Sequence, residues 1–158
     1  PFLDQLKENY LKRKINLKVK IAGDGELMSL FKNKYSLLID DGVLELLGKI
    51  KGIDNFLKNS SLFCFPSLWE GYPNALAEAL RIGLPVVTSK RLCTLNQFVE
   101  DNINGLVVND YEMFIKTEHL INNKKLLNKM SKNSFIKYQN LYTNSPVENW
   151  DMILKNSK

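Results

Sequence analysis

Two carboxylates separated by seven residues, Glu70 and Glu78, flank the point where an apolar run gives way to a helical pattern. Leu62-Phe63-Cys64-Phe65 is apolar throughout and reads as a strand buried on both faces. Pro66 to Tyr72 reads as a loop, and Asn74 to Ile82 as a helix that Gly83 stops. A helix beginning near Pro73 or Asn74 offers N–H groups without intrahelical partners and the positive end of its dipole. Phosphate oxygens and sugar hydroxyls can use such donors. Gly71 and Pro73 bracket a tight turn, and Gly71 lets a ligand come close to the backbone. On a helical projection Ala75, Leu76, Ala79, Leu80 and Gly83 share one face. Glu78 lies about 130° from its centre, on the side of Asn74 and Arg81. Carboxylates are strong acceptors and suit the hydroxyls of a sugar or a ribose. The same spacing also fits a plainer arrangement. Glu70 can be an exposed loop residue and Glu78 a partner of Arg81 on a solvated face, worth about 0.3 kcal/mol. The residues by themselves leave both open.

The elements that must position this segment alternate along the chain. Residues 2–14 read as an amphipathic helix from the spacing of Leu3, Leu6, Tyr10 and Leu11. A strand follows at 17–21, then the turn Gly23-Asp24-Gly25, a helix to about Tyr35, a strand at 43–47 and a short helix from Ile53. After the helix ending at Ile82 come a buried strand at 85–88, a helical turn at 94–99 and a strand at 106–108. Two helices at 111–122 and 124–142 follow, and a last one starts near Pro146 and runs to about Lys155. This order predicts an α/β domain: one Rossmann-like parallel sheet with helices on both faces, spanning residues 1–158 as a single unit. Ligands bind such sheets at the carboxyl ends of the strands. Chemistry is therefore expected at 23–26, 48–51, 66–73, 89–95 and 109–111.

Composition bounds the partners. The chain of 158 residues is 44% hydrophobic and 25% charged, with a net charge of +5, which suits one domain that contacts anions. No dense basic block with interleaved aromatics occurs, so nucleic acid is not expected as a partner. No apolar run is long enough to span a bilayer, and Pro1-Phe2-Leu3 opens into a helical pattern rather than a signal peptide. The start without Met suggests a fragment or processed piece. Cys64 and Cys93 lack metal-ligand spacing, and Cys64 reads as a buried thiol, as expected in a reducing cytoplasm. The single histidine, His119, falls on an outer helix and reads as structural. The lysine-rich polar sides of the helices after Tyr111 make peripheral contact with the inner face of a membrane an option. An ordinary solvated face is the favoured expectation.

The string Pro66-Ser67-Leu68-Trp69-Glu70-Gly71-Tyr72-Pro73-Asn74-Ala75-Leu76-Ala77-Glu78-Ala79-Leu80 resembles that of the retaining glycosyltransferases of family 4, also called glycosyl transferases group 1. Glu70 and Glu78 reproduce the family's Glu-x7-Glu motif. Four further segments are similar to the family in the same order: 21–27, 47–50, 81–87 and 100–108. The resemblance implies the carboxy-terminal, nucleotide-sugar-binding half of a two-domain GT-B fold. It implies transfer of a sugar, with retention, from a nucleotide diphosphate to a hydroxyl acceptor, in cell-surface glycan synthesis. Glu70 would contact the donor sugar and be the catalytic residue. Glu78 would bind the ribose, and backbone groups of Gly71, Tyr72, Pro73 and Asn74 the sugar or diphosphate. Gly23 and Gly25 would lie near the phosphates, and Lys49 and Ile50 beside the base. No metal and no other cofactor is expected. The leaving diphosphate would be stabilised by helix dipoles and basic groups.

Two departures from the family are visible. Its Arg/Lys pair lies on and just after a first strand, and Pro1-Phe2-Leu3-Asp4 resembles the helix beyond that point. The pair, the strand and the amino-terminal acceptor domain are therefore expected to be missing here, leaving the fragment inactive alone. Leu92-Cys93 replaces a Gly-Gly turn, where Lys90 and Arg91 could meet phosphate. The alternative readings are a non-catalytic nucleotide-binding module, or a sugar-nucleotide epimerase or phosphorylase of the same architecture.

Overall fold

A computed structural model describes residues 1–13, 15, 17–67, 69–92 and 95–143. Along them run α1 (Phe2–Arg13), β1 (Val19–Ala22), α2 (Met28–Lys34), α3 (Ser36–Asp40), β2 (Leu44–Gly48), α4 (Ile53–Lys58) and β3 (Phe63–Phe65). Then come α5 (Asn74–Ile82), β4 (Val86–Ser89), α6 (Leu95–Phe98), β5 (Gly105–Val108), α7 (Met113–Asn122) and α8 (Lys124–Thr143). Strands and helices alternate as expected, with one addition: the helix after β1 breaks at Tyr35, and α3 follows. The last expected helix, from Pro146, lies outside the described residues, as do Cys93 and Thr94.

Every strand pair is parallel, but the pairing falls into two sheets rather than the single one expected. β1 pairs with β2, Val19 opposite Leu44, and β3, β4 and β5 form the second sheet in that order. What joins them is side-chain packing and not a shared ladder. Phe2 packs both against the core around Leu6, Leu38 and Leu44 and against the core around Val87, Leu106 and Met113. Its ring meets Phe114 edge-on, centroids 5.8 Å apart.

Successive side chains of β4 point to opposite faces, and this sorts the helices. Val86 packs with Leu76 and Leu80 of α5 and Phe98 of α6. Val87 packs with Met113 and Leu120 of α7 and Met130 of α8. α8 crosses from one face to the other, since its Tyr138 and Leu141 return to the Val86 side. Each fully buried leucine here removes enough apolar surface to contribute about 2 kcal/mol.

Two glycines have structural reasons. Gly83 caps α5 at φ 81°, with the Leu84 N–H returning to the Ala79 carbonyl at 2.9 Å. At Gly105, a Cβ would sit 2.3 Å from the Val86 carbonyl oxygen, so only glycine allows β5 to lie this close to β4. The turn leading into β5 is built around the buried Asn104. Its amide donates to the Phe98 carbonyl at 2.9 Å, and its side-chain oxygen accepts from the Glu100 N–H at 2.7 Å.

Candidate functional site

The loop from Pro66 to Pro73 leaves the carboxyl end of β3 and delivers the chain to α5. Glu70 lies in this loop, half-buried, and its carboxylate is already oriented. The Ser67 hydroxyl donates to Glu70 Oε1 at 2.8 Å and lies 3.2 Å from the Trp69 carbonyl. Trp69 is 79% exposed, the most open large apolar side chain among the described residues. Gly71 is exposed too, and a Cβ built there meets nothing within 4 Å. No internal contact demands glycine at 71, so the free space on that side is available to a ligand.

Glu78 sits on α5 one turn in from its start and is half-buried. The plainer expectation for it, a pair with Arg81, is not realised. Arg81 bonds to Asp54 of α4 instead, because α4 packs beside α5. Glu78 makes no hydrogen bond or ion pair among the described residues. At the helix start the free donors are fewer than the sequence suggests. The Asn74 N–H goes to the Tyr72 carbonyl at 2.9 Å, and those of Leu76 and Ala77 to the Pro73 carbonyl at 2.9 and 3.3 Å. The Ala75 N–H remains without an acceptor among the described residues.

Tyr72 ties the loop to the rest of the domain. Its ring meets Phe98 edge-on at 5.2 Å, and its hydroxyl lies 3.0 Å from that of Tyr142 on α8. The Tyr142 ring in turn packs on Tyr138, centroids 4.5 Å apart. The hydrogen bond with Tyr72, then burial, pushes the Tyr142 hydroxyl up to about 12. Neither Ser67 nor Tyr142 stood out in the sequence as a site residue. The Ser-x-x-Glu spacing of 67 and 70 is a local hydrogen-bonding signal that could have found the first. No local signal points to the second.

The remaining expected residues form a separate group. Gly23 and Gly25 follow β1, and Lys49 and Ile50 follow β2. The Gly23 N–H donates to the Gly48 carbonyl at 2.8 Å and the Gly25 N–H to Asp24 Oδ1 at 3.0 Å. Lys49 is exposed and Ile50 half-buried. No hydrogen bond among the described residues joins this group to the Glu70 loop, in keeping with the break between the two sheets. Beyond β4, the Ser89 hydroxyl donates to Asp110, which also receives the Arg91 guanidinium at 3.3 Å. Two hollows among the described residues lie elsewhere. One is between Lys90 and the 99–107 segment, the other between the 100–104 segment and α8. Among the described residues no three His, Cys, Asp or Glu come together, and His119 is exposed on α7.

A parallel α/β domain with a strand-loop-helix carrying two half-buried carboxylates defines a class, and the comparisons define the family. The chain belongs to the glycosyl transferases group 1, whose family model it matches over residues 2–136. It is 40% identical over 116 residues to the UDP-Gal:alpha-D-GlcNAc-diphosphoundecaprenol alpha-1,3-galactosyltransferase of Escherichia coli, covering 72% of this chain and 30% of the relative. Among solved structures it is similar to the pneumococcal O-GlcNAc transferase GtfA in complex with UDP and GlcNAc. That match has a TM-score of 0.80 at 20% identity and covers 98% of this chain and 33% of GtfA. The C-terminal domain of the glycosyl transferase group 1 family protein LpcC from Francisella tularensis matches with a TM-score of 0.70 at 19% identity. There the cover is 85% of this chain and 74% of that domain. The fold is that of GT-B glycosyltransferase domains. The chain spans under a third of the length of the galactosyltransferase.

Proposed function

We propose that this chain is the donor-binding domain of a retaining glycosyltransferase that moves a sugar from a nucleotide diphosphate to a hydroxyl acceptor in cell-surface glycan synthesis. The observation that carries this reading is the Glu70 carboxylate, held by Ser67 in a loop that is open on its Gly71 side. Glu78, half-buried without a partner among the described residues, has acceptor capacity to spare for ribose hydroxyls. Glu70 meets the donor sugar. The backbone of Gly71 and Tyr72 and the Ala75 N–H face the diphosphate, while the Asn74 N–H is already engaged. Gly23 and Gly25 border the phosphates, and Lys49 and Ile50 the base.

In the transfer, the bond from the anomeric carbon to the diphosphate oxygen breaks, and a new bond forms to the acceptor oxygen on the same face. The diphosphate leaves with the bonding pair and takes up the proton that the acceptor hydroxyl gives up. Fixed dipoles and basic groups stabilise that charge without a metal. The donor is read as a UDP-sugar and the acceptor as a lipid-linked diphosphate glycan. The support is the galactosyltransferase, whose name specifies both, and GtfA, which holds UDP. Acceptor recognition falls to a second domain.

Calorimetric titration of the chain with UDP, UDP-galactose and UDP-GlcNAc tests this. Binding of at least one, weakened tenfold or more by Glu78→Ala (about 1.4 kcal/mol), is the expected result. A chain that binds no nucleotide diphosphate would sink the donor-site reading.

A further inference from the structure

The charge of this protein is concentrated on one helix. The chain has 22 basic and 17 acidic side chains. Five of the basic ones (Lys124, Lys125, Lys129, Lys132 and Lys137) and none of the acidic ones fall on α8, so the rest of the chain balances at 17 of each. Lys137 is paired with Glu100 at the flank of the helix. The other four are exposed and form no ion pair among the described residues.

Helical geometry shows where they point. At 100° per residue, Lys125, Lys129 and Lys132 fall within about 60° of one another, opposite the buried line of Met130 and Ser134. Ile136 lies inside the same arc and Phe135 about 60° beyond it, on the side of Gly83, and they are 51% and 47% exposed. Ile103, 48% exposed, stands beside this face, where the Asn133 amide donates to its carbonyl at 2.9 Å. The outward face of α8 is thus cationic, carries no carboxylate of its own and presents Ile136, with Phe135 on one flank and Ile103 and Glu100 on the other. No helix among the described residues is long and apolar enough to cross a bilayer. A polyanion such as nucleic acid matches the lysines alone, whereas a bilayer surface of anionic lipid matches lysines and apolar groups together.

We propose that the outward face of α8 docks on the surface of an anionic membrane, with Lys125, Lys129 and Lys132 meeting headgroups, Ile136 entering the interfacial layer and Phe135 at its margin. The donor loop lies at one end of this helix, through the contact of Tyr72 with Tyr142. The docking does not rest on the donor reading above.

Flotation of the chain with phosphatidylcholine vesicles, with and without 30% phosphatidylglycerol, tests the docking. Binding only to the anionic vesicles is expected, lost at 1 M salt, where the screening length falls to about 3 Å. The variant Lys125→Gln/Lys129→Gln/Lys132→Gln should bind about a hundredfold more weakly. Phe135→Ser/Ile136→Ser should lose binding while keeping its attraction to heparin. Both variants replace exposed side chains, and circular dichroism checks their fold. No flotation with either vesicle, or flotation unchanged in the lysine variant, overturns the docking. So does equal loss of heparin and vesicle binding in the lysine variant with no effect of the apolar one, which marks a polyanion site. UDP-sugar titration of the same variants is expected to match the parent chain, so failure of the donor reading shows there and not in the flotation.

Discussion

Ser67 donates its hydroxyl to Glu70 Oε1 at 2.8 Å, three residues away in a loop without regular structure. Such a bond restricts the carboxylate to one rotamer before any ligand arrives, and this lowers the ordering cost of binding. Ser67→Ala should weaken UDP-sugar affinity about fivefold, one neutral-to-charged hydrogen bond net of water competition. Ser67→Thr should restore it, and affinity for UDP alone should stay constant. Calorimetry on the three forms checks this. Equal loss for UDP and UDP-sugar would show that Ser67 supports the loop in general and does not orient Glu70.

The hydroxyl pair of Tyr72 and Tyr142 gives a pH dependence with a definite sign. Tyr142 is pushed up from an ordinary 10.0 to about 12, so the folded protein holds that proton more tightly than the unfolded chain. Its stabilisation is therefore complete below pH 10 and is lost as pH rises toward 12. Tyr142→Phe should flatten this part of the stability profile. Tyr10 and Tyr35 are also raised, by a hydrogen bond to Asp41 and by burial respectively, and contribute alike to both proteins. Urea unfolding between pH 9 and 11 decides. Parallel curves for the two proteins would mean that the pair does not persist in solution.

Gly105→Ala places a Cβ against the backbone of β4, where nothing flexible can yield. The expected cost is about 3 kcal/mol, seen as a fall of roughly 10 °C in Tm. A fall below 2 °C would require β4 and β5 to separate at little cost, against the close pairing of Val86 with Gly105.

Cys64 points from β3 into the core of Val87, Leu106 and Met113, and burial pushes its thiol up to about 12. The thiolate is the reactive species. Cys64 should therefore resist dithionitrobenzoate at pH 8 in the native state and react on unfolding. Peptide mapping after alkylation reads the result at Cys64 itself. Rapid native labelling at that position would contradict its place in the core.

Periodicity and turn chemistry were legible along the chain. The span of α5, its stop at Gly83 and the buried strands on either side follow from side-chain spacing, a local property. The glutamates at 70 and 78 were likewise fixed to one loop and one helix by their positions. Three-dimensional packing decided the rest. It gave Arg81 to Asp54 and left Glu78 without a partner among the described residues, because α4 lies beside α5. It divided the strands into two sheets joined by Phe2 and Phe114, since apolar packing carries no ladder register that a sequence pattern could show. It brought Tyr142 to Tyr72 across 70 residues, because α8 crosses from one face of the sheet to the other. Spacing along a chain determines what each element is and which face it hides. Which side chains meet depends on where the elements come to rest, and that is settled only when their hidden faces are packed together.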